Sequence, residues 1–293
     1  MPDMPKPSRD RQSTLADLRR EIDDIDEAMH GLLMQRGEII DRLIAVKRSE
    51  EMGSAFRPAR EAEMMRRLVE RHHGILPLDT AESIWRVIIS TFTYVQAPFS
   101  VHADLSAGEA VTRDSARFHF GFTVPFVPHV GAAGAVAAVA ASTGDLGLVP
   151  AFGVAGAGAW WTSLEFTTAP KVIARLPFVE RIDHPAALPV FVISRAAADA
   201  MVREVEVWSV RVAGWGAPAA GAVSELAEVI AVPDRAFDGA ALLVSVPQGG
   251  SFAAVADALV RSGASLRSSA LVGGHATRYT VSAEGQRPVP TGR

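Results

Sequence analysis

The sequence predicts a multi-domain protein in which an all-α domain comes first, followed by an α/β domain and a small α+β segment. Three observations support this fold class. The first fifty residues carry an apolar seam with helical spacing. Residues 1–100 hold 32 Asp, Glu, Lys and Arg, whereas the other 193 residues hold only 30. After Pro98 the sequence changes to short apolar runs separated by Gly and Pro, which is typical of alternating strands and helices.

The long first helix is predicted from the spacing of its apolar residues. The steps alternate between three and four, which places the seam on one face of a helix. Thr14 and Asp17 form a capping box, and the pattern runs on to Glu51. Such a helix would be about 57 Å long at ~1.5 Å per residue, so we expect the long helices of two chains to pair as a dimer. The seam consists of Leu18, Ile22, Ile25, Met29, Leu32, Arg36, Ile39, Leu43 and Val46.

Two further helices complete the predicted all-α domain. Pro58 is suited to the first turn of a second helix, which runs to about Arg71. Asp79 is expected to cap a third helix, and Pro98 ends it. The domain is therefore predicted to span residues 13–100, after a disordered tail of residues 1–12.

Polar residues interrupt the apolar faces of these helices. Arg36 takes a seam position, and a buried guanidinium needs a partner such as a planar carboxylate. Lys47 follows 11 residues later, within about 20° of Arg36 on the same helix face. Arg60 and Glu61 begin the second helix, and Gln96 continues an apolar stripe of the third. Together these residues match a small dianionic substrate that carries a hydroxyl group.

Taken singly, each of these residues has an ordinary structural explanation. Arg36 can pair with a glutamate across a coiled coil, and Lys47 is favourable near a helix C-terminus. Arg60, Glu61 and Gln96 are common near helix ends. The joint pattern favours a substrate site.

The segments LADLRREIDDIDEAMHGLLMQR, AVK, RPARE and IWRVIISTFTYVQ resemble the all-helical (type II) chorismate mutase family over about residues 13–97. The resemblance implies an intertwined helical homodimer in which each active site is completed by an arginine of the partner's first helix. Transferred to this sequence, the implied site residues are Arg19 from across the interface, with Arg36, Lys47, Arg60, Glu61 and Gln96 from the same chain.

The implied reaction is the pericyclic rearrangement of chorismate to prephenate, which needs no cofactor and no metal. Arg19, Arg36 and Arg60 would hold the two substrate carboxylates. Lys47 and Gln96 would donate hydrogen bonds to the ether oxygen as negative charge develops there.

Glu61 would accept the hydrogen bond of the ring hydroxyl. Because a neutral amide at position 96 needs no protonation to donate, we expect a rate that depends only weakly on pH between about 6 and 9.

Two other functions stay open for the helical domain. An isochorismate pyruvate-lyase uses nearly the same residues on the same scaffold. A non-catalytic helical dimer with a metabolite-binding C-terminal region is the alternative from a different functional class.

The α/β domain is predicted at residues 105–235, with strands at ARFHFGFTV, DLGLVP, KVIARLPFV and LPVFVISR and an Ala-rich helix at about 131–142. GDLGLVPAF and LPVFVISR are similar to segments of the prephenate dehydratase domain of bifunctional enzymes. That family carries a Thr-Arg-Phe triplet before a strand, whereas the corresponding stretch of this chain reads Leu188, Pro189, Val190 and Phe191. Since the threonine hydroxyl is missing, we expect this domain to be non-catalytic, and a bifunctional mutase and prephenate dehydratase is the alternative.

Residues 239–285 resemble an ACT regulatory module, with a strand, a helix and two further strands, which suggests an aromatic amino acid as effector. A packing or dimerisation module is the alternative. The tail of residues 286–293 is predicted to be disordered.

Composition narrows the functional classes further. A formal charge of -4 gives no electrostatic reason to expect nucleic acid or an acidic membrane as a partner. The absence of cysteine excludes disulfides and thiolate chemistry. No run of about 18 apolar residues suggests a membrane span. We expect a cytoplasmic protein.

Overall fold

The computed structural model describes residues 14–47, 55–154, 156–186, 188–195, 203–234 and 239–281. The chain divides into two compact units, Met1–Glu51 and Met52–Arg293. The tails predicted to be disordered, residues 1–12 and 286–293, lie outside the described residues.

The first unit contains one long helix, α1, at Leu15–Lys47. Its predicted capping box is confirmed. The Asp17 amide donates to Thr14 Oγ1 at 3.2 Å, and the Thr14 amide donates to Asp17 Oδ2 at 3.0 Å. The apolar seam faces outward along the helix, with Ile22, Ile25 and Met29 each more than half exposed. The predicted continuation to Glu51 lies outside the described residues.

The second unit begins with two helices, α2 at Pro58–Arg71 and α3 at Leu78–Gln96. Both predicted ends of α2 are confirmed. The predicted cap of α3 is wrong, because Pro77 is the N-cap residue and Asp79 already lies in the first turn. The extended backbone of Pro77 leads directly into the helix, and the side chain of Asp79 contacts Arg181 at 3.4 Å instead.

An α/β lobe follows at residues 101–195. Its strands are β1 Val101–Asp104, β2 Phe126–His129, β3 Leu146–Pro150, β4 Lys171–Leu176, β5 Val179–Glu180 and β6 Val190–Ser194. Its helices are α4 Glu109–Phe120 and α5 Ala132–Ala141. Strand β1 is parallel to β2 and β3, while β6 is antiparallel to β3 and β4. The predicted Ala-rich helix and the strands at DLGLVP, KVIARLPFV and LPVFVISR are confirmed in position.

The strand predicted at ARFHFGFTV is wrong, because residues 116–120 form the end of α4. The buried residues of α4 are spaced at helical intervals: Thr112, Ser115, Ala116, His119 and Phe120. The alternation of Phe with polar residues in this segment imitates a strand over only five positions. Gly121 ends the helix at φ 66°, a left-handed conformation that glycine adopts without steric cost.

The C-terminal part is a β-α-β-β-α-β module at residues 205–275. Its elements are β7 Val205–Ala213, α6 Ala217–Ser224, β8 Glu228–Asp234, β9 Gly239–Val246, α7 Phe252–Arg261 and β10 Ser265–His275. The strand order β10-β7-β9-β8 is antiparallel throughout, which is the arrangement of a ferredoxin-like fold.

This ferredoxin-like module therefore begins at Val205, whereas the sequence placed its start at residue 239. In the described part of the predicted strand TRYTVSAEG, Tyr279–Thr280 form β11, which pairs with β5 of the lobe. The rest of this prediction, from residue 282 onward, lies outside the described residues. The likeness of this region to an ACT module stays a prediction.

Strands of the lobe and of the ferredoxin-like module join in one nine-stranded sheet, in the order β2-β1-β3-β6-β4-β10-β7-β9-β8. The junction is the pairing of Gly273 with Val172. Gly273 has φ 147°, and a Cβ there would lie 2.1 Å from the Val172 carbonyl oxygen. Only glycine permits this approach.

The helices α2 and α3 share a hydrophobic core with the lobe. Met65 of α2 and Ile89 of α3 are buried in the same cluster as Phe120, Leu148 and Phe178. The predicted boundary near Pro98 therefore does not separate two hydrophobic cores.

Candidate active site

Three of the six predicted site residues lie on α1. Arg19 is exposed in its first turns and Arg36 is half-buried. Lys47 is the last residue of the helix, and its side chain lies outside the described part of the chain.

The other three lie at the helix ends of the second unit. Arg60 is exposed and Glu61 is buried in the first turn of α2. Gln96 is the half-buried last residue of α3, and its Nε2 donates to the Phe92 carbonyl at 2.9 Å. An amide nitrogen carries two hydrogens, so this bond leaves a second one for another acceptor. The meeting of all six side chains in one pocket stays a prediction.

Glu61 forms a buried ion pair that the sequence did not predict. Its Oε2 accepts a hydrogen bond from Arg86 Nη1 at 2.7 Å. Glu61 is 4% exposed and Arg86 is fully buried. Burial raises the pKa of the Glu61 carboxyl above its usual range, and the positive charge and hydrogen bond of Arg86 oppose that rise.

Arg86 could have been found by the reasoning applied to Arg36. It lies four residues after Glu82 and three before Ile89, so it occupies the buried face of α3. A guanidinium at such a position needs an acceptor from a neighbouring element. The signal for Arg86 is therefore present in the sequence, in the position of a guanidinium on a buried helix face.

A second buried ion pair links α3 to the lobe. Glu82 Oε2 accepts from Arg181 Nη1 at 2.8 Å, and Glu82 Oε1 lies 3.2 Å from His184 Nε2. The Ala186 amide donates to His184 Nδ1 at 3.0 Å, so Nε2 carries the proton and donates to Glu82.

His119 lies between the two ion pairs. It is fully buried, its ring stacks on His184 with centroids 6.1 Å apart, and its carbonyl accepts from Arg86 Nη2 at 3.1 Å. Burial, followed by the charge of Arg86, lowers the pKa of His119 well below its usual range. His119 is therefore a neutral ring in the folded protein near pH 7.

The helical segment matches a known family. Residues 18–97 match the family description "Chorismate mutase type II". This segment is a type II chorismate mutase domain. The match covers α2, α3 and most of α1, which are the elements that carry the six predicted site residues.

A curated relative extends the likeness beyond the mutase domain. The chain is 29% identical over 140 residues to the "Bifunctional chorismate mutase/prephenate dehydratase" of Aquifex aeolicus, a match that covers 46% of this chain and 38% of that protein. The chain therefore matches little more than a third of the relative's length.

Among solved structures, the prephenate dehydratase from Streptococcus mutans matches with a TM-score of 0.33 and 10% sequence identity, over 60% of this chain and 97% of that chain.

A cleft of about 420 Å³ lies beside the ferredoxin-like module. Arg175 on its wall forms a two-pronged ion pair with Glu228, and Arg278 pairs with Glu180 at 2.9 Å. His275 is buried, and its Nδ1 contacts the Ala276 carbonyl at 2.9 Å. Burial lowers the pKa of His275 to about 4. The cleft thus presents paired charges of both signs around a neutral imidazole.

Within the described ranges, His, Asp and Glu form no group of three or more that could bind a metal ion. No helix in the described part of the chain has the length and hydropathy needed to cross a membrane.

Proposed function

We propose that this protein is a chorismate mutase that converts chorismate to prephenate. The match of residues 18–97 to the type II family carries the proposal. The polar residues of the motif, which occur in the expected order on α1, α2 and α3, support it. The test is conversion of chorismate by the purified full chain, with prephenate identified as the product. Release of pyruvate from isochorismate would instead favour the lyase.

In the proposed mechanism, binding selects the reactive shape of the substrate. Arg19, Arg36 and Arg60 grip the two carboxylates and hold the enolpyruvyl arm over the ring. The reaction is concerted, so no side chain acts as a nucleophile or exchanges a proton with the substrate.

Charge stabilisation provides the second part of the mechanism. As the C–O bond breaks, negative charge grows on the ether oxygen, and Lys47 and Gln96 donate hydrogen bonds to it. Glu61 accepts the hydrogen bond of the ring hydroxyl and so fixes the orientation of the ring. A carboxylate offers about four lone-pair positions, so it can accept this bond while it is paired with Arg86.

The proposed active form is a homodimer in which Arg19 reaches the partner's site. Two observations on α1 support it: the helix has 33 residues, and its apolar seam is exposed, with Ile25 at 58% and Leu32 at 63%. An apolar stripe of this length is stable in water only when a partner covers it. The proposed site of action is the cytoplasm, where a chain without cysteine needs no disulfide chemistry.

The lobe is proposed to have lost dehydratase chemistry. The positions where the dehydratase family carries Thr-Arg-Phe lie at the start of β6, where Val190 and Phe191 are each 1% exposed. Buried apolar side chains at these positions cannot assist loss of hydroxide. Dehydratase activity is the alternative, because the relative from Aquifex aeolicus is named as a bifunctional enzyme. Formation of phenylpyruvate from prephenate would establish this activity.

An aromatic amino acid is the proposed effector of the C-terminal region. The cleft beside the ferredoxin-like module supports this, because its volume suits a small molecule. Arg278 can attract the effector's carboxylate, and Glu180 or Glu228 can attract its ammonium group. Unchanged mutase kinetics in the presence of phenylalanine, tyrosine and tryptophan would remove this proposal.

A further inference from the structure

Arg86 is held in place by three elements besides its own helix. Nη1 donates to Glu61 on α2 at 2.7 Å, and Nη2 donates to the carbonyl of His119 on α4 at 3.1 Å. The guanidinium carbon lies 5.2 Å from the centre of the Phe178 ring, in the turn between β4 and β5. Two of these three contacts come from the α/β lobe. A planar guanidinium held on two edges and one face has little freedom to turn.

The partner of Arg86 is a carboxylate that would otherwise be costly to keep ionised. Glu61 is 4% exposed, and a buried carboxyl without a cation nearby takes up a proton at neutral pH. A protonated Glu61 would keep only the weaker, neutral carbonyl acceptor, whereas the ionised carboxylate accepts a stronger, charge-assisted hydrogen bond from the substrate's ring hydroxyl. The charge of Arg86 keeps the acceptor form available, and its fixed position aims the carboxylate.

We propose that Arg86 is a positioning residue that keeps Glu61 oriented and ionised for the substrate, and that the α/β lobe serves the mutase reaction by holding Arg86. This rests on the proposed function, in which Glu61 accepts the ring hydroxyl. A chain whose lobe has lost its own chemistry would then retain the lobe because the mutase site depends on it.

Among the residues that the structure describes, Arg86 on α3 and the backbone of Arg57, which precedes α2, act on Glu61. His119 on α4 faces Arg86, and His184 lies behind it. Burial is the largest cause of the lowered pKa of His119, and it persists when Arg86 is removed. Comparison of Arg86→Met in the wild-type and Glu61→Gln backgrounds shows whether a change in rate between pH 6 and 9 comes from Glu61.

The experiment measures kcat and KM for chorismate between pH 6 and 9 in the full-length protein. Wild type is expected to be nearly flat over this range. Arg86→Met should lose about ten- to a hundredfold in kcat/KM at pH 7 and recover toward pH 9, because an unpaired buried Glu can have a pKa of about 8–9. Arg86→Lys, which keeps the charge, should stay flat. Glu61→Gln should have a low kcat/KM at every pH. The double variant Glu61→Gln, Arg86→Met should show no pH dependence between pH 6 and 9.

A flat profile for Arg86→Met, at wild-type kcat/KM or at a uniformly lower value, would overturn the proposal. If Arg86→Met does not fold, Arg86→Gln removes the charge while keeping a donor for the His119 carbonyl, and the same pH signature is required of it. An inactive wild type would contradict the proposed mutase function itself, so the two failures are distinguishable.

The role of the lobe in holding Arg86 is tested separately through Phe178. Phe178→Leu removes the ring beneath the guanidinium and should lower kcat/KM at pH 6 by about two- to thirtyfold, the range of one cation–π contact from exposed to desolvated sites, with a smaller loss at pH 9. Phe166→Leu, an exposed aromatic of the same lobe, is the matched control and should change nothing. A kcat/KM of Phe178→Leu equal to that of wild type would overturn the proposed role of the lobe.

Discussion

Glu82 and Arg181 are 99 residues apart in the sequence and form an ion pair of 2.8 Å in the interior of the protein. Both side chains are at most 2% exposed, so the pair fixes α3 of the mutase domain to the lobe where water is excluded. Removal of one partner of such a pair leaves an uncompensated buried charge, which costs more than the pair itself contributes.

Arg181→Met is therefore expected to lower the free energy of unfolding by about 3–5 kcal/mol. Arg67→Met is the control, because Arg67 is 63% exposed in its pair with Glu63 and should change stability by less than about 1 kcal/mol. Urea unfolding followed by circular dichroism measures both. Equal urea midpoints for the two variants would show that the Glu82–Arg181 pair does not stabilise the contact between α3 and the lobe.

Stability should fall as the pH is lowered through the range in which His275 titrates. Its pKa is lowered from 6.5 to about 4, so below pH 6.5 the unfolded chain binds a proton that the folded protein does not. The stabilisation is complete above pH 6.5 and is lost progressively as the pH falls toward 4. The contribution of His275 to the slope approaches about 1.4 kcal/mol per pH unit near pH 5.

His275→Gln should accordingly reduce the dependence of unfolding free energy on pH between 6.5 and 4 by about this amount. His73→Gln, at an exposed position, should leave it as in wild type. An identical slope for wild type and His275→Gln would contradict the buried, neutral imidazole beside Arg175.

Lys47 and Gln96 are assigned to the developing charge on the ether oxygen, and their removal should act mainly on kcat. We expect Lys47→Ala to lower kcat by at least about 10²-fold, the contribution typical of one strong transition-state donor. Gln96→Ala should also lower kcat. Arg42→Ala, at an exposed position of the same helix, should retain wild-type kinetics. Activity of Lys47→Ala within a few-fold of wild type would rule out the assigned role.

The exposed seam of α1 predicts how the protein associates. Ile25→Glu places a charge in the proposed helix-pairing surface and should shift a wild-type dimer toward monomer, since burying an unpaired carboxylate costs several kcal/mol, roughly. Asp23→Asn, on the same exposed helix, should remain dimeric. Sedimentation velocity gives the molecular mass, and a monomeric wild type would refute the pairing.

The helical elements were largely predictable, because their caps and their 3.6-residue spacing are local signals. Thr14 with Asp17 and Pro58 gave correct starts for α1 and α2. The prediction of Asp79 as the N-cap was wrong because acidic residues are also favourable in the first turn of a helix. The extended backbone of Pro77 determines where α3 begins. ARFHFGFTV was misread because alternation over five residues does not distinguish a strand from the end of an amphipathic helix.

The partners of buried charges were not predictable from the sequence. Arg86 stands on a buried helix face, which is a local signal. Its acceptors, Glu61 and the carbonyl of His119, are brought to it by the packing of α2 and α4. The start of the ferredoxin-like module at Val205 was missed for the same kind of reason. The register of β7 between β9 and β10 depends on pairing between distant segments.

The most direct test of the proposed mutase activity is proton NMR of chorismate incubated with the full-length protein. Chorismate signals are expected to be replaced by those of an equal amount of prephenate, with no phenylpyruvate formed at neutral pH. Chorismate that persists at the uncatalysed rate beside a folded protein would contradict the assignment of residues 18–97 to an active mutase.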